Sequence, residues 1–446
     1  MMAHSYLPHT DAERRRMLNL LGLASQEDLL SVIPPGIRNR ILPDLPPAQT
    51  EIELVESFEQ LAARNTDLLH HRSYLGAGIY HHHIPAVVNH MAGRSEFYTA
   101  YTPYQPEMSQ GMLQAIFEFQ TMIAELCGLP VANASLYDGA TALAEAVKMT
   151  LSAERNKILI SPAVHPEYRE VLRTYNRFLP VVLEETPLRQ GTLAASDLPL
   201  NQKTAALVVG YPNFFGLIEN LPSLAAAAHQ VGAALIVTAY PIALGLLESP
   251  GRLGADIVVG EGQSLGSPPN LGGPGLGFMA CGDNFLRRIP GRLAGQTVDR
   301  EGRRGFVLTL QTREQHIKRE RAASNICSNA ALCALRAAIY LSSLGPSGFS
   351  EVATQSSAAA HYALDRLTSG GKFSPLFPGA FFNEFTLRTP VSPTAINKTL
   401  AQEGIIGGLD LGRFYPELGP ALMLAFTELH TAEDIDRLAW IMEAMA

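Results

Sequence analysis

Three tyrosines lie within seven residues of one another in the segment Tyr98-Thr-Ala-Tyr101-Thr102-Pro103-Tyr104-Gln105-Pro106-Glu107. The prolines stiffen this segment and keep it out of a helix before Pro106, which itself suits the first turn of the helix that follows. Apolar residues then recur at helical spacing and stop at Gly128. A tyrosine-rich loop before a helix can bind an anionic or planar ligand, or it can be an ordered surface loop. The residue types do not distinguish these two interpretations.

A second polar group, Asn133-Ala-Ser135-Leu-Tyr-Asp138-Gly139-Ala-Thr141, precedes a predicted helix of small residues that runs to about residue 151. Hydroxyl and amide groups beside the free backbone N–H donors of a helix start form a workable phosphate cup. The same residue types are common helix caps, and ordinary capping is the interpretation that we favour.

Adjacent histidines occupy positions 81–83, in Gly76-Ala-Gly78-Ile-Tyr80-His81-His82-His83. Neighbours in sequence point in different directions, so one metal ion rarely binds all three. We therefore expect no metal site but a loop, with its glycines at positions of positive φ.

The four cysteines show no CxxC spacing and are expected to be buried free thiols. They are Cys127, Cys281, Cys327 and Cys333.

The short apolar run at 257–259 predicts a buried parallel strand, because it is bounded by Asp and Gly and is too short for a helix. The residues after it, Glu261-Gly-Gln263-Ser264-Leu-Gly-Ser-Pro-Pro-Asn-Leu-Gly-Gly-Pro-Gly275, are polar and rich in glycine. They predict a loop at the carboxyl end of the strand. In open α/β sheets, ligands bind at that end.

Strand and helix patterns alternate from Lys157 onward, which predicts a mostly parallel sheet with right-handed crossovers. The predicted strands cover residues 157–161, 178–183, 205–209, 233–237, 257–259 and 275–280, and the helices between them cover 167–175 and 221–231. A long helix is expected to follow the segment 303–329 and to continue to Leu344, where Gly345-Pro346 breaks it.

We divide the chain into a helical N-terminal arm (1–70), a large α/β domain (71–345) and a small C-terminal α+β domain (346–446). Nothing in the arm indicates chemistry, so packing or partner contact is its expected role. The small domain is predicted to carry helices at 351–367, 393–403 and 432–445 and strands at 381–387 and 421–427.

Composition narrows the class of protein. Of 446 residues, 47% are apolar and 17% are charged, which is typical of a globular protein with a large core. The net charge, 34 − 42 = −8, disfavours binding to nucleic acid and to anionic lipid. No apolar run reaches the roughly 18 residues that span a membrane. The first residues lack a basic region followed by an apolar one, so we expect a cytoplasmic protein.

Several long motifs together resemble the N-terminal half of the glycine decarboxylase (P-protein) family of the glycine cleavage system. These motifs are the segment 98–105, Asn133-Ala-Ser135, Tyr211-Pro-Asn213-Phe-Phe-Gly216, Arg303-Arg-Gly-Phe-Val-Leu-Thr-Leu-Gln311, Arg313-Glu-Gln-His-Ile317 and Ser324-Asn-Ile-Cys327. The resemblance extends over roughly residues 10–440.

The resemblance implies a pyridoxal-phosphate-dependent transferase of fold type I, similar to aspartate aminotransferase. Such a fold has a large domain with a seven-stranded, mainly parallel sheet and a smaller C-terminal α+β domain. The family decarboxylates glycine through a pyridoxal-phosphate (PLP) imine and passes the aminomethyl group to the lipoyl arm of a carrier, the H-protein. That chemistry needs a lysine to hold the aldehyde and an acidic residue to keep the pyridine nitrogen protonated.

This chain departs from the family at both positions. Where catalytic members carry His-Lys ahead of the glycine run, it has Gln263-Ser264, and no lysine occurs from residue 204 through residue 317. The acidic residue is expected directly after the strand 233–237, where the chain has Thr238-Ala239-Tyr240-Pro241. The resemblance therefore implies that no cofactor is bound covalently in this chain and that a homologous partner holds PLP.

We accordingly expect subunit 1 of glycine dehydrogenase (decarboxylating), inactive alone and paired, as α2β2, with a PLP-bearing subunit 2. Its other expected partners are the lipoylated H-protein and glycine. The expected contribution to the partner's active site comes from Tyr98, Tyr101, Thr102, Tyr104, Gln105 and Glu107. The vestigial cofactor pocket is assigned to Asn133, Ser135 and Asn213.

Two other hypotheses remain. The alternative, from another functional class, is a solitary pseudoenzyme of this fold that binds a small molecule or regulates another protein. A third hypothesis is a complete enzyme that uses Lys318. We disfavour it because Lys318 lies in a run rich in arginine and glutamate, where a solvated charge is the usual explanation.

Overall fold

The computed structural model describes residues 9–38, 46–270, 272–322, 324–326 and 328–445. Two compact units are formed, Met1–Asn65 and Thr66–Ala446. Cys127, Cys281 and Cys333 are buried free thiols, as expected. The expectations for Cys327 and for the first eight residues fall outside the described residues. Among the described helices, none has the length and apolar character needed to cross a membrane.

The first unit contains helices α1 (Asp11–Leu20), α2 (Gln26–Leu29) and α3 (Glu51–Ala62). Thr50 caps α3 and forms a reciprocal capping box with Glu53. No residue of these three described helices is buried, and apolar side chains of α3 are strongly exposed: Ile52 73%, Phe58 65% and Leu61 54%. An apolar helix face of this kind is typical of a surface that another molecule covers.

The second unit opens with eight strands and six helices. The helices are α4 (Ala86–Ala92), α5 (Ser95–Tyr98), α6 (Gln110–Cys127), α7 (Gly139–Thr150), α8 (Pro166–Asn176) and α9 (Leu221–Gln230). The strands are β1 (Arg72–Ser73), β2 (Val131–Ala132), β3 (Lys157–Ile160), β4 (Val182–Glu185), β5 (Thr204–Tyr211), β6 (Ala234–Ala239), β7 (Ile257–Glu261) and β8 (Gly277–Cys281).

Seven of these strands form one sheet in the order β2-β8-β7-β6-β5-β3-β4. Among the described strands of this sheet, β8 runs against the direction of the other six, so the predicted seven-stranded, mainly parallel sheet is confirmed. Alternate residues of β5 enter opposite cores: Leu207 belongs to the apolar cluster on one face and Val208 to the cluster on the other. All eight residues of β5 are buried, as in a central parallel strand.

Two elements differ from the prediction. β4 begins at Val182 rather than at residue 178, because the Leu179 N–H donates to the Asn176 carbonyl at 3.0 Å and holds the chain in a turn after α8. The segment 303–329 precedes the long helix, as expected, and contains one strand of a hairpin, which was not predicted, and a single helical turn. These elements are β9 (Ala294–Val298), β10 (Arg304–Leu308) and α10 (Gln315–Lys318).

The long helix, α11, spans Ala331–Thr368. Gly345 interrupts it with non-helical dihedral angles, φ 61° and ψ −178°, so the predicted break at this position is confirmed. The remaining elements are β11 (Ser374–Pro375), β12 (Glu384–Arg388), α12 (Pro393–Gln402), β13 (Ile405–Ile406), β14 (Leu409–Asp410), β15 (Ala421–Ala425) and α13 (Ala432–Met445).

A second, antiparallel sheet of four strands has the order β11-β12-β15-β14. Its apolar side chains pack with those of α11, α12 and α13 in a separate core. β1 pairs in parallel with β13, so the chain enters the second unit beside its C-terminal part. The domain boundaries after residues 70 and 345 stay predictions.

Gly216 provides a test of how tightly the loop after β5 approaches β12. Gly216 has φ +85°, and a Cβ there would lie 1.8 Å from the Glu384 carbonyl oxygen, whereas Gly302 has φ +80° and open space. We expect Gly216→Ala to lower the free energy of unfolding by about 3 kcal/mol or more and Gly302→Ala by only about 1 kcal/mol. The reason is that both residues keep a positive φ but only the first overlaps backbone. Urea unfolding measures the difference, and equal losses would contradict it.

Candidate functional site

The candidate site is a small cavity at the carboxyl ends of β5, β6 and β7, the edge of the sheet where ligands of open α/β folds bind. The cavity volume is about 70 Å³. Its lining includes Tyr80, His165, Tyr168, Asn213, Tyr240 and Glu384. The seven-stranded sheet and the four-stranded antiparallel sheet meet at this cavity, because Glu384 begins β12 of the antiparallel sheet.

The segment 76–83, which we call the strap, crosses this edge and supplies Tyr80. Gly76 has φ +55° and Gly78 has φ +96°, so the expectation of glycines at positive φ is confirmed. A Cβ on Gly76 would lie 2.3 Å from Glu384 Oε1, which shows how closely the strap passes the carboxyl group. The Ala77 N–H donates to Oε1 at 2.7 Å, and the Tyr80 hydroxyl donates to Oε2 at 3.0 Å.

Gln263 fixes the strap from the side of β7. Its amide oxygen accepts from the Tyr80 N–H at 3.2 Å, and its Nε2 donates to the Tyr80 carbonyl at 3.2 Å and to the Ser267 carbonyl at 2.6 Å. The next residue, Ser264, is buried, and its Oγ has no hydrogen-bond partner among the described residues. The pair that replaces His-Lys is therefore enclosed by this chain, and its first member makes structural contacts with the backbone.

Tyr240 stands directly after β6 and is one of the four residues, 238–241, where the acidic residue was expected. Its ring packs on the Tyr80 ring with centroids 4.3 Å apart, and its hydroxyl bonds to His82 Nε2. His82 Nδ1 lies 2.7 Å from Glu428 Oε2. Because His82 is buried and His83 is exposed, the adjacent histidines point in different directions.

The three residues assigned to the vestigial pocket are not brought together. Asn213 lines the cavity and holds the loop after β5 through its side-chain amide. Asn133 instead donates to the Pro290 carbonyl at 3.0 Å, and the Ser135 hydroxyl accepts from the Ala330 N–H at 3.1 Å. Neither residue is among those that line the cavity. A cofactor role for this set stays a prediction.

The start of α7 is capped in the ordinary way, which was the favoured interpretation. Asp138 Oδ1 accepts from the Thr141 N–H at 2.7 Å.

The tyrosine loop, residues 98–107, lies on the surface and exposes its aromatic rings. Tyr98 is 58% exposed, Tyr101 82% and Tyr104 53%. Gln105 and Glu107 are also exposed, and Thr102 is half-buried. One helical turn, α5, ends at Tyr98, and the chain becomes helical again only at Pro106.

Two contacts hold the base of this loop. Arg292 donates to the Tyr104 hydroxyl at 3.3 Å, and its guanidinium carbon lies 5.2 Å from the ring centroid. Gln110, at the start of α6, donates to the Phe306 carbonyl and accepts from the Phe306 N–H, both at 2.8 Å. The loop is therefore anchored while its phenols face solvent.

Lys318 is exposed at the end of α10 and is not among the residues that line the cavity. This position gives no support to a complete enzyme that uses Lys318.

Burial raises the pKa of Glu384 to about 7, although the hydrogen bonds from Ala77 and Tyr80 oppose the shift.

The sequence prediction missed two residues that line the cavity, Tyr80 and Glu384. One feature of the sequence could have indicated Glu384, because it is a carboxylate inside the apolar run Phe381-Phe-Asn-Glu-Phe-Thr-Leu387. No comparable feature indicates Tyr80.

The sequence profile of the family described as "Glycine cleavage system P-protein" matches residues 4–442. The chain is 50% identical over 440 residues to a protein of Anoxybacillus flavithermus named "Probable glycine dehydrogenase (decarboxylating) subunit 1". That similarity covers 98% of each chain.

Solved structures agree with the sequence comparison. A crystal structure of glycine decarboxylase (P-protein) of the glycine cleavage system, in inhibitor-bound form, superposes with a TM-score of 0.92 at 47% identity, covering 99% of this chain and 100% of that one. An aspartate aminotransferase from Thermus thermophilus shares the fold alone, with a TM-score of 0.57, 15% identity and coverage of 84% and 100%. The predicted fold type I architecture is confirmed.

The raised pKa of Glu384 predicts a pH dependence of stability. A carboxyl group whose folded-state pKa is about 7, against 4.5 ordinarily, stabilises the fold fully below pH 4.5 and loses that contribution as the pH rises through 7. Between pH 5 and pH 8, the free energy of unfolding of the wild type should fall by up to about 3 kcal/mol relative to Glu384→Gln.

Urea unfolding at several pH values measures this difference. The matched control is Glu417→Gln, at an exposed carboxylate, whose profile should follow that of the wild type. Parallel profiles for wild type and Glu384→Gln would show that Glu384 does not titrate in this range.

Proposed function

The chain belongs to the glycine cleavage system P-protein family, and from this premise we propose how it takes part in glycine decarboxylation. It is subunit 1 of a glycine dehydrogenase (decarboxylating), a part of an enzyme rather than a complete one. The observation that carries this conclusion is the similarity to relatives named subunit 1 over 98% of both chains. The same similarity gives no support to a solitary pseudoenzyme.

The finer proposal is that a homologous partner chain carries the cofactor and that the two form an α2β2 enzyme. In support, the strand end at Gln263-Ser264 has no amine that can form an imine, and the residues where an acid was expected beside the pyridine ring, 238–241, include no acid. When bound, PLP supplies an electron sink for loss of the glycine carboxyl group. A cytoplasmic location and aminomethyl transfer to a lipoyl H-protein belong to the same proposal.

Two surfaces of this chain support pairing. The tyrosine loop presents three exposed phenols on an anchored base, and exposed aromatic residues are enriched in protein interfaces. The apolar face of α3, which contains Ile52 and Phe58, is similarly exposed. We propose that the partner subunit covers both surfaces and that the tyrosine loop forms one wall of the partner's active site.

The first prediction concerns the isolated chain. Purified alone, it should catalyse no exchange of label between bicarbonate and the glycine carboxyl group, because it lacks the imine-forming lysine. Co-expression with a homologous chain that carries His-Lys ahead of its glycine run should yield a stable complex with exchange activity. Native mass measurement gives the stoichiometry, and the partner alone is the control. Robust exchange by the isolated chain would refute the assignment.

The second prediction concerns the tyrosine loop. In the assembled enzyme, Tyr101→Ala should lower exchange activity or pairing affinity by about tenfold, equivalent to about 1.4 kcal/mol, because truncation removes an aromatic contact that pairing would bury. Phe178→Ala is the control, since Phe178 is 90% exposed on the turn before β4. Hydrogen exchange should show residues 98–108 and 51–62 protected on pairing. No protection in either segment would place the interface elsewhere.

A further inference from the structure

The carboxyl ends of β5, β6 and β7, where open α/β folds bind ligands, are filled by side chains of this chain. The Tyr80 and Tyr240 rings pack against each other there, Glu384 accepts a hydrogen bond from the Tyr80 hydroxyl, and Gln263 holds the backbone N–H and carbonyl of Tyr80. The cavity that remains, about 70 Å³, is well below the roughly 300 Å³ of a small ligand pocket. A substituted pyridine ring therefore requires Tyr80 to leave.

The start of α7 is also occupied. Helix N-termini bind phosphate groups through their free N–H donors. Here Glu261 Oε2 accepts from the Gly139 N–H at 3.1 Å, and Asp138 accepts from the Thr141 N–H. A Cβ on Gly139 would lie 2.1 Å from the Tyr168 hydroxyl oxygen, so the space in front of the helix is crowded as well.

Backbone donors from two further residues hold Glu261 in place. Its Oε1 accepts from the Leu276 N–H at 2.8 Å and from the Gln263 N–H at 3.0 Å. Displacing this carboxylate with a phosphate would leave those buried donors without a partner. The phosphate would therefore have to compete with a carboxyl group that already has three backbone hydrogen bonds.

Charge opposes a phosphate at the same place. An adjoining cleft of about 410 Å³ is bordered by Asp138, Glu167 and Glu261. Neither lysine nor arginine occurs among the described residues that line the cavity or the cleft. A phosphate dianion would therefore meet carboxylates without a compensating cation.

Ser264 is the last residue that bears on cofactor binding. It occupies the position of the cofactor lysine but lines neither the cavity nor the cleft, and its side chain is buried. A lysine at this position would have no open path to a ligand while the strap is in place.

We infer that this chain is closed to PLP independently of the missing lysine, because its own side chains occupy the ring position and the phosphate position. The closed pocket acts as a second core that joins β12 to the large sheet. Restoring the lysine alone does not restore binding. This inference rests on the proposed function only for the identity of the cofactor.

The first test is Ser264→Lys, with Ser264→Ala as the matched control for folding. Each purified chain is incubated with PLP, reduced with borohydride and digested, and the peptide that contains position 264 is weighed by mass spectrometry. We expect no pyridoxyl group on the amine introduced by Ser264→Lys. Stoichiometric labelling of that amine would overturn the inference.

The second test needs no new lysine and stands even where Ser264→Lys does not fold. Pyridoxamine phosphate, which has no aldehyde, is titrated into the wild-type chain by calorimetry. We expect no saturable heat. One-to-one binding would overturn the inference.

A third measurement examines directly whether Tyr80 fills the ring position. Tyr80→Ala should melt at a lower temperature than the wild type, and added phenol should raise the melting temperature of the variant but not of the wild type, because an apolar cavity binds a ligand of the missing shape. Absence of rescue by phenol would show that Tyr80 does not fill the ring position. None of these three tests measures the exchange activity of the assembled enzyme. A result that overturns this inference therefore leaves the proposed function standing, and the two failures are distinguishable.

Discussion

The buried carboxyl group of Glu384 constrains the arrangement of the whole site, because a carboxyl group removed from water must either meet hydrogen-bond donors or stay protonated. The strap supplies both donors, and in doing so it sets the Tyr80 ring against Tyr240. Gln263 then fixes the backbone of Tyr80. Since these groups share partners, a change in one alters the others, and their contributions to stability are not additive.

This arrangement shows how the carboxyl ends of β5, β6 and β7 are filled in this chain. A vacant pocket would leave polar groups unsatisfied and cavity walls without contacts. The strap prevents both and ties the antiparallel sheet to the carboxyl ends of the large sheet. The tyrosine loop and the apolar face of α3 expose large apolar side chains, and their role in pairing stays a proposal.

Elements with strong local patterns were predicted within a few residues of their observed bounds. β5, β6 and β7 are continuous apolar runs buried on both faces, and α13 is an amphipathic helix whose predicted bounds match the observed ones. β4 was predicted too early in the chain and the hairpin of β9 and β10 was not predicted, because their residues are partly exposed and their pairing depends on distant or turn contacts. Of the residues expected at a vestigial pocket, Asn213 lines the cavity whereas Asn133 and Ser135 do not, and a cofactor role for them stays a prediction.

The sequence by itself determined the fold type, the family and the missing amine, since each depends on residue types along a continuous segment. Only the tertiary structure decided which side chains meet at the cavity. Tyr80 meets Gln263 across 183 residues and Glu384 across 304 residues, and no local pattern encodes such contacts. They exist because the sheet brings the ends of its strands to one edge, where the strap, β7 and β12 must satisfy one another's buried polar groups.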